Sequence, residues 1–293
     1  MININIDPIL FLNVRWYGIF ISLAIVLLIL WLVWQVRKGA RITYDTLFTA
    51  AIVGIPSGVV ISRLLHVLDQ WSYYWRNPGE IIGGGGLTIY GAILGGALGI
   101  WVYSRFSKIN FGYFADVLVP GLPLAQAVGR VGCTINGCCY GTEAPFVPWS
   151  IVYTHPDSFA PLGVATYPTT VFEIFFLLIA FGIMLKLKGR LKPDGSLFVA
   201  YLALYSLWRL GSDFLRSGTP IVFGLHQAQI VAIIVLAVTI SWLGYRTRWA
   251  KAGSLTTIPE MPEVKVEESL VTEPVEVKED KATTTEPPAQ PDP

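Results

Sequence analysis

The sequence predicts an all-α integral membrane protein with seven transmembrane helices, its N-terminus outside and its C-terminus in the cytoplasm. Hydrophobic residues make up 53% of the 293 residues and charged residues only 14%, whereas soluble domains carry about 25% charged residues. Apolar stretches of near-membrane length recur along the chain, and basic residues gather in alternate connecting segments. The net charge of +1 gives no indication of nucleic-acid binding.

The apolar stretches set the predicted spans. At a rise of ~1.5 Å per residue, a helix of about 20 residues crosses a hydrocarbon core of ~30 Å. Each stretch is close to that length. The spans cover residues 16–36, 44–67, 87–106, 114–135, 169–187, 196–215 and 225–245.

Basic residues set the orientation of these spans. They follow the first, third, fifth and seventh spans and are nearly missing from the segments between. Cytoplasmic loops carry an excess of Lys and Arg, so these segments are assigned to the cytoplasm. An odd number of spans then places the N-terminus outside. The residues are Arg37, Lys38, Arg41, Arg105, Lys108, Lys186, Lys188, Arg190, Lys192, Arg246, Arg248 and Lys251.

The segments outside the spans differ in composition. The first 18 residues have no basic region and no small-residue cleavage site, so no removable signal peptide is expected. Residues 1–251 form the predicted membrane domain. Residues 252–293 are rich in Pro, Glu, Thr, Val and Lys without an aromatic residue, which predicts a disordered cytoplasmic tail, solvated or partner-binding. The loop at 137–167 is interpreted either as a folded cap or as a passive connector.

Polar side chains within the spans concentrate at one level. With the predicted orientation, nearly all of them fall in the outer halves, and the inner halves are apolar. Charged residues within a membrane are costly and mark functional sites, so this segregation predicts a polar cavity open to the outer leaflet. The residues are Tyr17, Arg63, His66, Tyr90, Arg130, Asn136, Glu173, Tyr205, Arg209, Asp213, Arg216, His226, Gln227 and Gln229.

The sixth span carries the densest polar pattern. Tyr205, Arg209, Asp213 and Arg216 are spaced at +4, +4 and +3 and are predicted to share one helix face. Asp213 can pair with either arginine, as a buried structural ion pair or as part of a site. Together with Arg63 and Arg130, the arginines outnumber the acids Glu173 and Asp213. A planar guanidinium suits phosphate, and a phospholipid headgroup is the anion expected at the outer leaflet.

Residues 129–141, GRVGCTINGCCYG, hold Arg130 and all three cysteines of the chain. Several interpretations of the cysteines remain open: a soft-metal site, although zinc usually takes four ligands, a disulfide of Cys133 with Cys138 or Cys139, or small packing residues. Adjacent Cys138 and Cys139 rarely bridge each other. A second glycine-rich pattern, Gly91, Gly95 and Gly99, has the spacing of close helix packing.

Several short motifs occur in order along residues 10–250. They are RWYG at 15–18, the arginine at 63, GGLTIYG at 85–91, Asp116 with Pro120, GRVGCTINGCCYG at 129–141, YPTTVFE at 167–173, and Tyr205 with Arg209, Asp213 and Arg216. In this combination the chain resembles the phosphatidylglycerol–prolipoprotein diacylglyceryl transferase family. The signature positions that are Asn and Glu in the family are Cys133 and Cys138 here. The family's His and Gln in the next motif are Tyr167 and Thr170.

The resemblance implies an enzyme of the bacterial cytoplasmic (inner) membrane. It would move the sn-1,2-diacylglyceryl group of phosphatidylglycerol to the lipobox cysteine of preprolipoprotein signal peptides and release glycerol 1-phosphate, without a metal or organic cofactor. Arg130 and Arg209 are the candidates for contacting the phosphate. Tyr90 stands where many members carry a histidine and is expected to orient the headgroup. Catalytic candidates are Tyr90, Arg130, Arg209 and Tyr205; substrate-binding candidates are Arg130, Tyr17, Arg63, Asn136, Gly141, Glu173, Asp213 and Arg216.

Two alternatives to this function remain. One is a protein of the same fold with a changed lipid substrate or a non-catalytic role in phospholipid handling. The other is a membrane scaffold acting through its tail and cysteines. A carrier needs a polar path through the inner half of the membrane, and the apolar inner halves of the spans disfavour it.

Overall fold

The computed structural model describes residues 1–11, 14–83, 89–107, 109–218 and 224–249, with only the backbone at positions 69, 82, 83, 89, 90 and 93. The predicted tail at 252–293 lies outside the described residues. The described chain is mostly helical. Its helices are α1 Trp16–Arg37, α2 Tyr44–Asp69, α3 Trp71–Tyr74, α4 Glu80–Gly83, α5 Ile89–Phe106, α6 Phe111–Leu118, α7 Gly121–Asn136, α8 Thr169–Leu187, α9 Ser196–Ser212 and α10 Gln227–Arg246. The strands are β1 Ile2–Ile4, β2 Ile9–Phe11, β3 Val14–Arg15, β4 Ile151–Tyr153, β5 Ala165–Thr166, β6 Leu191–Lys192 and β7 Arg248–Trp249.

The helical membrane class is confirmed. Within the described chain, the helices α1, α2, α8 and α10 are long and apolar enough to cross a membrane. The bent pair of α6 and α7 adds a fifth span if the two helices cross the membrane as one. Many large apolar side chains on these helices face outward, as a lipid environment requires. They include Leu30, Ile52, Ile179 and Ile234, each at least 60% exposed.

Two predicted spans have a different form in the structure. The stretch 114–135 was predicted as a single helix, but α6 and α7 meet at an angle of 50°. The break falls at Pro120, which has no N–H to donate and whose ring crowds the preceding turn. The stretch 196–215 was also predicted as one helix, but α9 ends at Ser212 and a 3-10 turn, Asp213–Leu215, follows.

The pair α2 and α5 packs with its backbones in close approach. A Cβ at Gly95 would lie 2.5 Å from the carbonyl oxygen of Ser57 and 2.6 Å from Cβ of Ile61. At Gly91 it would lie 2.3 Å from Cα of Ser62. These distances leave no room for a side chain, so the glycine spacing serves helix packing as predicted.

We expect Gly95→Ala to destabilise the fold by about 1–3 kcal/mol, because the new methyl group overlaps backbone atoms that have no freedom to move aside. The neighbouring Gly96 is the matched control, since a Cβ there would meet only the Gly54 oxygen at 3.5 Å. Thermal unfolding in detergent should show a lower midpoint for Gly95→Ala than for Gly96→Ala. Equal midpoints would contradict the packing role.

The rest of the bundle forms around α7. Helix α1 packs on α7, where a Cβ at Gly132 would lie 2.8 Å from Cβ of Phe20. Helix α8 also packs on α7, and α9 packs on α10. The buried Asp116 of α6 accepts hydrogen bonds from the N–H groups of Gly195 and Phe198, at 2.8 and 2.9 Å. A carboxylate at the N-terminus of a helix is stabilised there, so Asp116 fixes α6 to the start of α9.

The loop between α7 and α8 is a folded cap, which excludes a passive connector. Strand β4 pairs in parallel with the N-terminal strand β1 and antiparallel with β5. The hydroxyl of Tyr153 donates to the carbonyl of Thr134 at 3.0 Å, fastening the cap to the last turn of α7. Burial, with the thiols nearby, raises the pKa of the Tyr153 phenol, so this hydroxyl stays protonated and keeps donating.

Candidate functional site

The C-terminal ends of α7 and α9 and the N-terminal ends of α8 and α10 bring their charged side chains together. The opposite helix ends carry basic residues with other partners. There, for example, the Lys188 ammonium donates to the side chain of Gln35, and the Arg41 guanidinium lies 4.8 Å from the centre of the Tyr113 ring. The charged site therefore lies at one end of the bundle.

Glu173 is the centre of this site. Its side chain is almost fully buried, one turn into α8. One carboxylate oxygen, Oε1, lies 2.9 Å from Nη2 of Arg130 and accepts a hydrogen bond of 3.0 Å from the hydroxyl of Tyr205. The other, Oε2, lies 3.7 Å from Nη1 of Arg216. One carboxylate thus fixes two guanidinium groups and a phenol that come from three segments of the chain.

Backbone pairing positions Arg216. Sequence spacing predicted Arg216 on the same helix face as Asp213, which is wrong because the helix has ended and Arg216 is extended. It forms an antiparallel bridge with Gly141. A Cβ at Gly141 would lie 2.6 Å from Cβ of Tyr167 and 2.7 Å from the oxygen of Leu215. Only glycine allows this approach.

A second ion pair lies at the end of α9. Arg209 Nη2 lies 2.7 Å from Oδ1 of Asp213, so Asp213 pairs with Arg209 rather than with Arg216. His226, before α10, places Nδ1 3.7 Å from Oδ2 of Asp213. The Nη1 atom of Arg209 is buried and has no hydrogen-bond partner among the described residues.

The charges of the two ion-pair groups do not cancel. Three arginines, Arg130, Arg209 and Arg216, face two carboxylates, Glu173 and Asp213. All five side chains are at most 17% exposed, so bulk water screens them little. A buried donor without a partner costs about 1–3 kcal/mol. The surplus guanidinium and the unpartnered Arg209 Nη1 therefore favour an anion that accepts two or more hydrogen bonds, as phosphate does.

An apolar groove of about 360 Å³ lies between α8 and α9 beside these charges. The rings of Phe176 and Trp208 stack in it at 4.5 Å. Trp208 Nε1 and Ser212 Oγ are buried without hydrogen-bond partners among the described residues. The site therefore combines anion-binding groups with a surface suited to an apolar chain. Residues lining the groove are Thr169, Phe172, Phe176, Leu204, Leu207, Trp208, Gly211, Ser212 and Leu215.

The cysteines lie next to Arg130. The sulfur atoms of Cys133 and Cys139 are each 3.8 Å from Arg130 Nη1. All three cysteines are free thiols in the structure. Within the described ranges, one group of three His, Cys, Asp or Glu side chains has its potential ligand atoms within 4.8 Å of one another. This group is Asp7, His155 and Asp157. The thiols do not form such a group.

Comparison with known proteins identifies the family. Residues 5–245 match the family model described as prolipoprotein diacylglyceryl transferase.

This chain belongs to the prolipoprotein diacylglyceryl transferase family.

Relatives named phosphatidylglycerol–prolipoprotein diacylglyceryl transferase include one from Dehalococcoides mccartyi, 48% identical over 261 residues, covering 88% of this chain and 100% of the relative. One from Clostridioides difficile is 33% identical and covers 76% of this chain and 87% of the relative. The family resemblance inferred from the motifs is thereby confirmed.

The structure of this diacylglyceryl transferase family member brings most of the predicted site residues together. Arg130, Glu173, Tyr205 and Arg216 form one group, and the Arg209–Asp213 ion pair lies beside it at the end of α9. Tyr17 is within electrostatic range of Arg130 and the thiols. Their assignment as catalytic or substrate-binding remains a prediction.

Three predicted residues lie differently. Asn136 is buried and accepts a hydrogen bond from Arg15 Nη1 at 3.1 Å, so it supports the cap. Arg63 donates through Nε to the oxygen of Ile81 at 2.8 Å and also to the Glu80 oxygen, and these contacts hold the segment before α5. The side chain of Tyr90 lies outside the described residues.

The predicted site residues did not include Arg15, which holds the cap, or His226, which contacts Asp213 of the site. Arg15 contacts the carbonyl of Asp157 at 3.2 Å and the ring of Phe159 at 4.4 Å. Arg15 is a basic residue on the predicted outer side, where basic residues are few. Its unusual position was the feature of the sequence that could have indicated a structural role. His226 was recognised as polar, but its contact with Asp213 depends on the packing of α10 on α9.

We expect Arg15→Ala to lower the stability of the cap by about 1.5–3 kcal/mol, because its guanidinium hydrogen-bonds both the last residue of α7 and the cap loop. Limited proteolysis of the 137–168 segment reports this change. Cleavage there should speed up in Arg15→Ala and stay slow in Arg76→Ala, an exposed arginine outside the cap. Equal cleavage rates in the two variants would contradict this role.

Proposed function

We propose that this protein transfers the sn-1,2-diacylglyceryl group of phosphatidylglycerol to the lipobox cysteine thiol of preprolipoproteins and releases glycerol 1-phosphate. The observation that carries the proposal is the buried set of three arginines on two carboxylates, next to an apolar groove. A lipid with an anionic headgroup matches both halves of this site. The names of the relatives support the same substrates.

In the proposed reaction the nucleophile comes from the substrate. The cysteine sulfur loses its proton and attacks the glycerol carbon. A C–S bond forms while the C–O bond breaks, and the electron pair leaves on the phosphate oxygen of glycerol 1-phosphate. The enzyme must therefore hold the phosphate and stabilise its growing negative charge.

Arg130 and Arg209 are the groups that we assign to this phosphate. Arg130 keeps Nη1 directed away from Glu173, toward the weakly accepting thiols. Arg209 has Nη1 without a partner among the described residues. Glu173 and Asp213 hold the two guanidinium groups before substrate arrives, so little reorganisation is needed. Tyr205 orients the same carboxylate, and Tyr17, Asn136, Gly141 and Arg216 complete the proposed site. Tyr90 orients the headgroup, and Arg63 holds the segment before α5.

The groove between α8 and α9 receives an acyl chain of the lipid in this proposal. Its aromatic and leucine side chains provide an apolar surface next to the arginines. The buried donors Trp208 Nε1 and Ser212 Oγ match an ester carbonyl, the one polar group near the start of such a chain.

The membrane arrangement that we propose is seven spans in the bacterial cytoplasmic membrane, with the N-terminus outside and the site toward the outer leaflet. The site is formed by the C-terminal ends of α7 and α9 and the N-terminal ends of α8 and α10. This alternation supports the arrangement, because successive spans cross a membrane in opposite directions. Further support comes from the basic residues at the opposite helix ends, where cytoplasmic loops are expected. The cap and Arg15 then lie outside, where secreted substrates are found.

Purified protein, phosphatidylglycerol vesicles and a lipobox peptide test the proposal. Mass spectrometry should show the peptide gaining a diacylglyceryl group in thioether linkage, with an equal amount of glycerol 1-phosphate. A peptide with Ser in place of Cys should stay unmodified. The absence of thioether product in the complete reaction would overturn the proposal, and product formed only from lipids with other headgroups would favour the alternative of a changed lipid substrate.

A further inference from the structure

The three thiols have no role in the proposed transfer, and two of them, those of Cys133 and Cys139, contact Arg130. The sulfur atoms of Cys133 and Cys139 contact the same atom, Arg130 Nη1, at 3.8 Å each. The Cys138 thiol donates to the carbonyl oxygen of Cys133 at 3.7 Å. Two sulfurs six residues apart are thus held on one side of one guanidinium group.

The backbone after α7 creates this arrangement. Gly137 adopts a positive φ of 71°, and the N–H of Cys138 donates to the oxygen of Cys133 at 3.2 Å. This is the Schellman pattern, which turns the chain back over the last helical turn. Cys139 also has a positive φ, 63°, unusual for a residue other than glycine. Its carbonyl accepts a hydrogen bond of 2.8 Å from Thr169, which holds Cys139 over the helix end.

The two thiols that follow the helix differ in the direction of their pKa shifts. The neighbouring Cys133 and Cys138 thiols lower the pKa of the Cys139 thiol, and the charges of Arg216 and Arg130 act in the same direction. The neighbouring Cys133 and Cys139 thiols raise the pKa of the Cys138 thiol. The thiolate is the reactive form of cysteine, so Cys139 is the thiol prepared to attack.

We propose that Cys133 and Cys139 form a disulfide on the outer side of the membrane and that this bond releases Arg130 for the phosphate. The Cys139 thiolate attacks a disulfide oxidant, forms a mixed disulfide and expels one thiolate of the oxidant. The Cys133 thiol then loses its proton and attacks the Cys139 sulfur, expelling the second thiolate. Two electrons pass to the oxidant, whose disulfide becomes two thiols.

The effect on Arg130 follows from its contacts and rests on the proposed function. In the reduced protein, the sulfurs of Cys133 and Cys139 both accept from Arg130 Nη1 at 3.8 Å, in competition with phosphate. The disulfide is neutral and a poor acceptor. Oxidised protein should therefore bind phosphatidylglycerol more tightly than reduced protein.

The bridge is tested on the full-length chain in lipid nanodiscs, with oxidised glutathione as the disulfide. After denaturation, maleimide-reactive thiols are counted by intact mass. The wild type, with its three cysteines, should fall to one reactive thiol, and Cys138→Ser should fall from two to none. Cys139→Ser should keep two. A wild type that keeps three thiols or carries glutathione in place of an internal bridge, or a bridge that forms in Cys139→Ser, overturns the proposal.

The transfer assay tests the consequence for Arg130. Oxidised wild type should show a several-fold lower KM for phosphatidylglycerol than reduced wild type, and oxidation should leave the KM of Cys139→Ser unchanged. An equal or higher KM after oxidation overturns the release of Arg130. The thiol count needs no activity, so failure of the bridge and failure of the proposed transfer give different results.

Discussion

Arg130→Ala should lower kcat/KM for diacylglyceryl transfer by about 10²–10³-fold, the loss found when one preorganised donor to a developing negative charge is removed. Arg130 contacts Glu173, Cys133 and Cys139 at once. Its removal deletes a buried cation from the place where the leaving phosphate is proposed to gain charge. Initial rates measured against phosphatidylglycerol concentration check this expectation.

The matched control is Arg105→Ala, which removes an exposed arginine from the last turn of α5. Its kcat/KM should equal that of the wild type. Arg130→Ala should still fold, because Glu173 keeps Arg216 and Tyr205 as partners. Full activity in folded Arg130→Ala would contradict the assignment.

Glu173→Ala should have the largest effect on stability, a loss of about 3–5 kcal/mol. Glu173 is 3% exposed and balances Arg130 and Arg216. Removing one member of a buried ion group leaves the other charges without compensation, and this is the source of the cost. Chemical or thermal unfolding in detergent measures it. Activity should fall as well, since Arg130 loses the group that orients it.

An added anion distinguishes this explanation from simple loss of packing. Glycerol 1-phosphate should raise the unfolding midpoint of Glu173→Ala more than that of the wild type, because the phosphate replaces the missing carboxylate between two arginines. Glu143→Ala is the control, an exposed glutamate in the cap, and its response should match the wild type. An equal shift in Glu173→Ala and wild type would argue against an anion site at these arginines.

The sequence allowed the helical membrane class and the charged set to be predicted. Apolar stretches identified the helices because a bilayer leaves few other ways to satisfy the backbone. Arg130, Glu173, Tyr205, Arg209 and Asp213 were recognised because ionisable residues are rare in such stretches. The +4 spacing of Arg209 and Asp213 predicted their ion pair, because this contact depends only on local helix geometry.

Contacts beyond local geometry were not predictable. Arg216 reaches Glu173 because α9 ends at Ser212 and the chain then pairs with Gly141, which helix periodicity does not reveal. The N-terminal strand of the cap was missed because three apolar–polar residues are too short a pattern for assignment. Arg63 was grouped with the site because of its positive charge, but its contacts include the backbone oxygens of Glu80 and Ile81 and the ring of Tyr74 at 5.1 Å.

The central claim is that Arg130 binds the phosphate of the lipid, and product inhibition tests it most directly. Glycerol 1-phosphate carries that phosphate and should inhibit the wild-type transfer competitively with phosphatidylglycerol. We expect the inhibition constant to rise by at least about tenfold for the residual activity of Arg130→Ala, equivalent to about 1.4 kcal/mol of lost binding, and to stay unchanged in Arg105→Ala. An inhibition constant for Arg130→Ala equal to that of the wild type would contradict the claim.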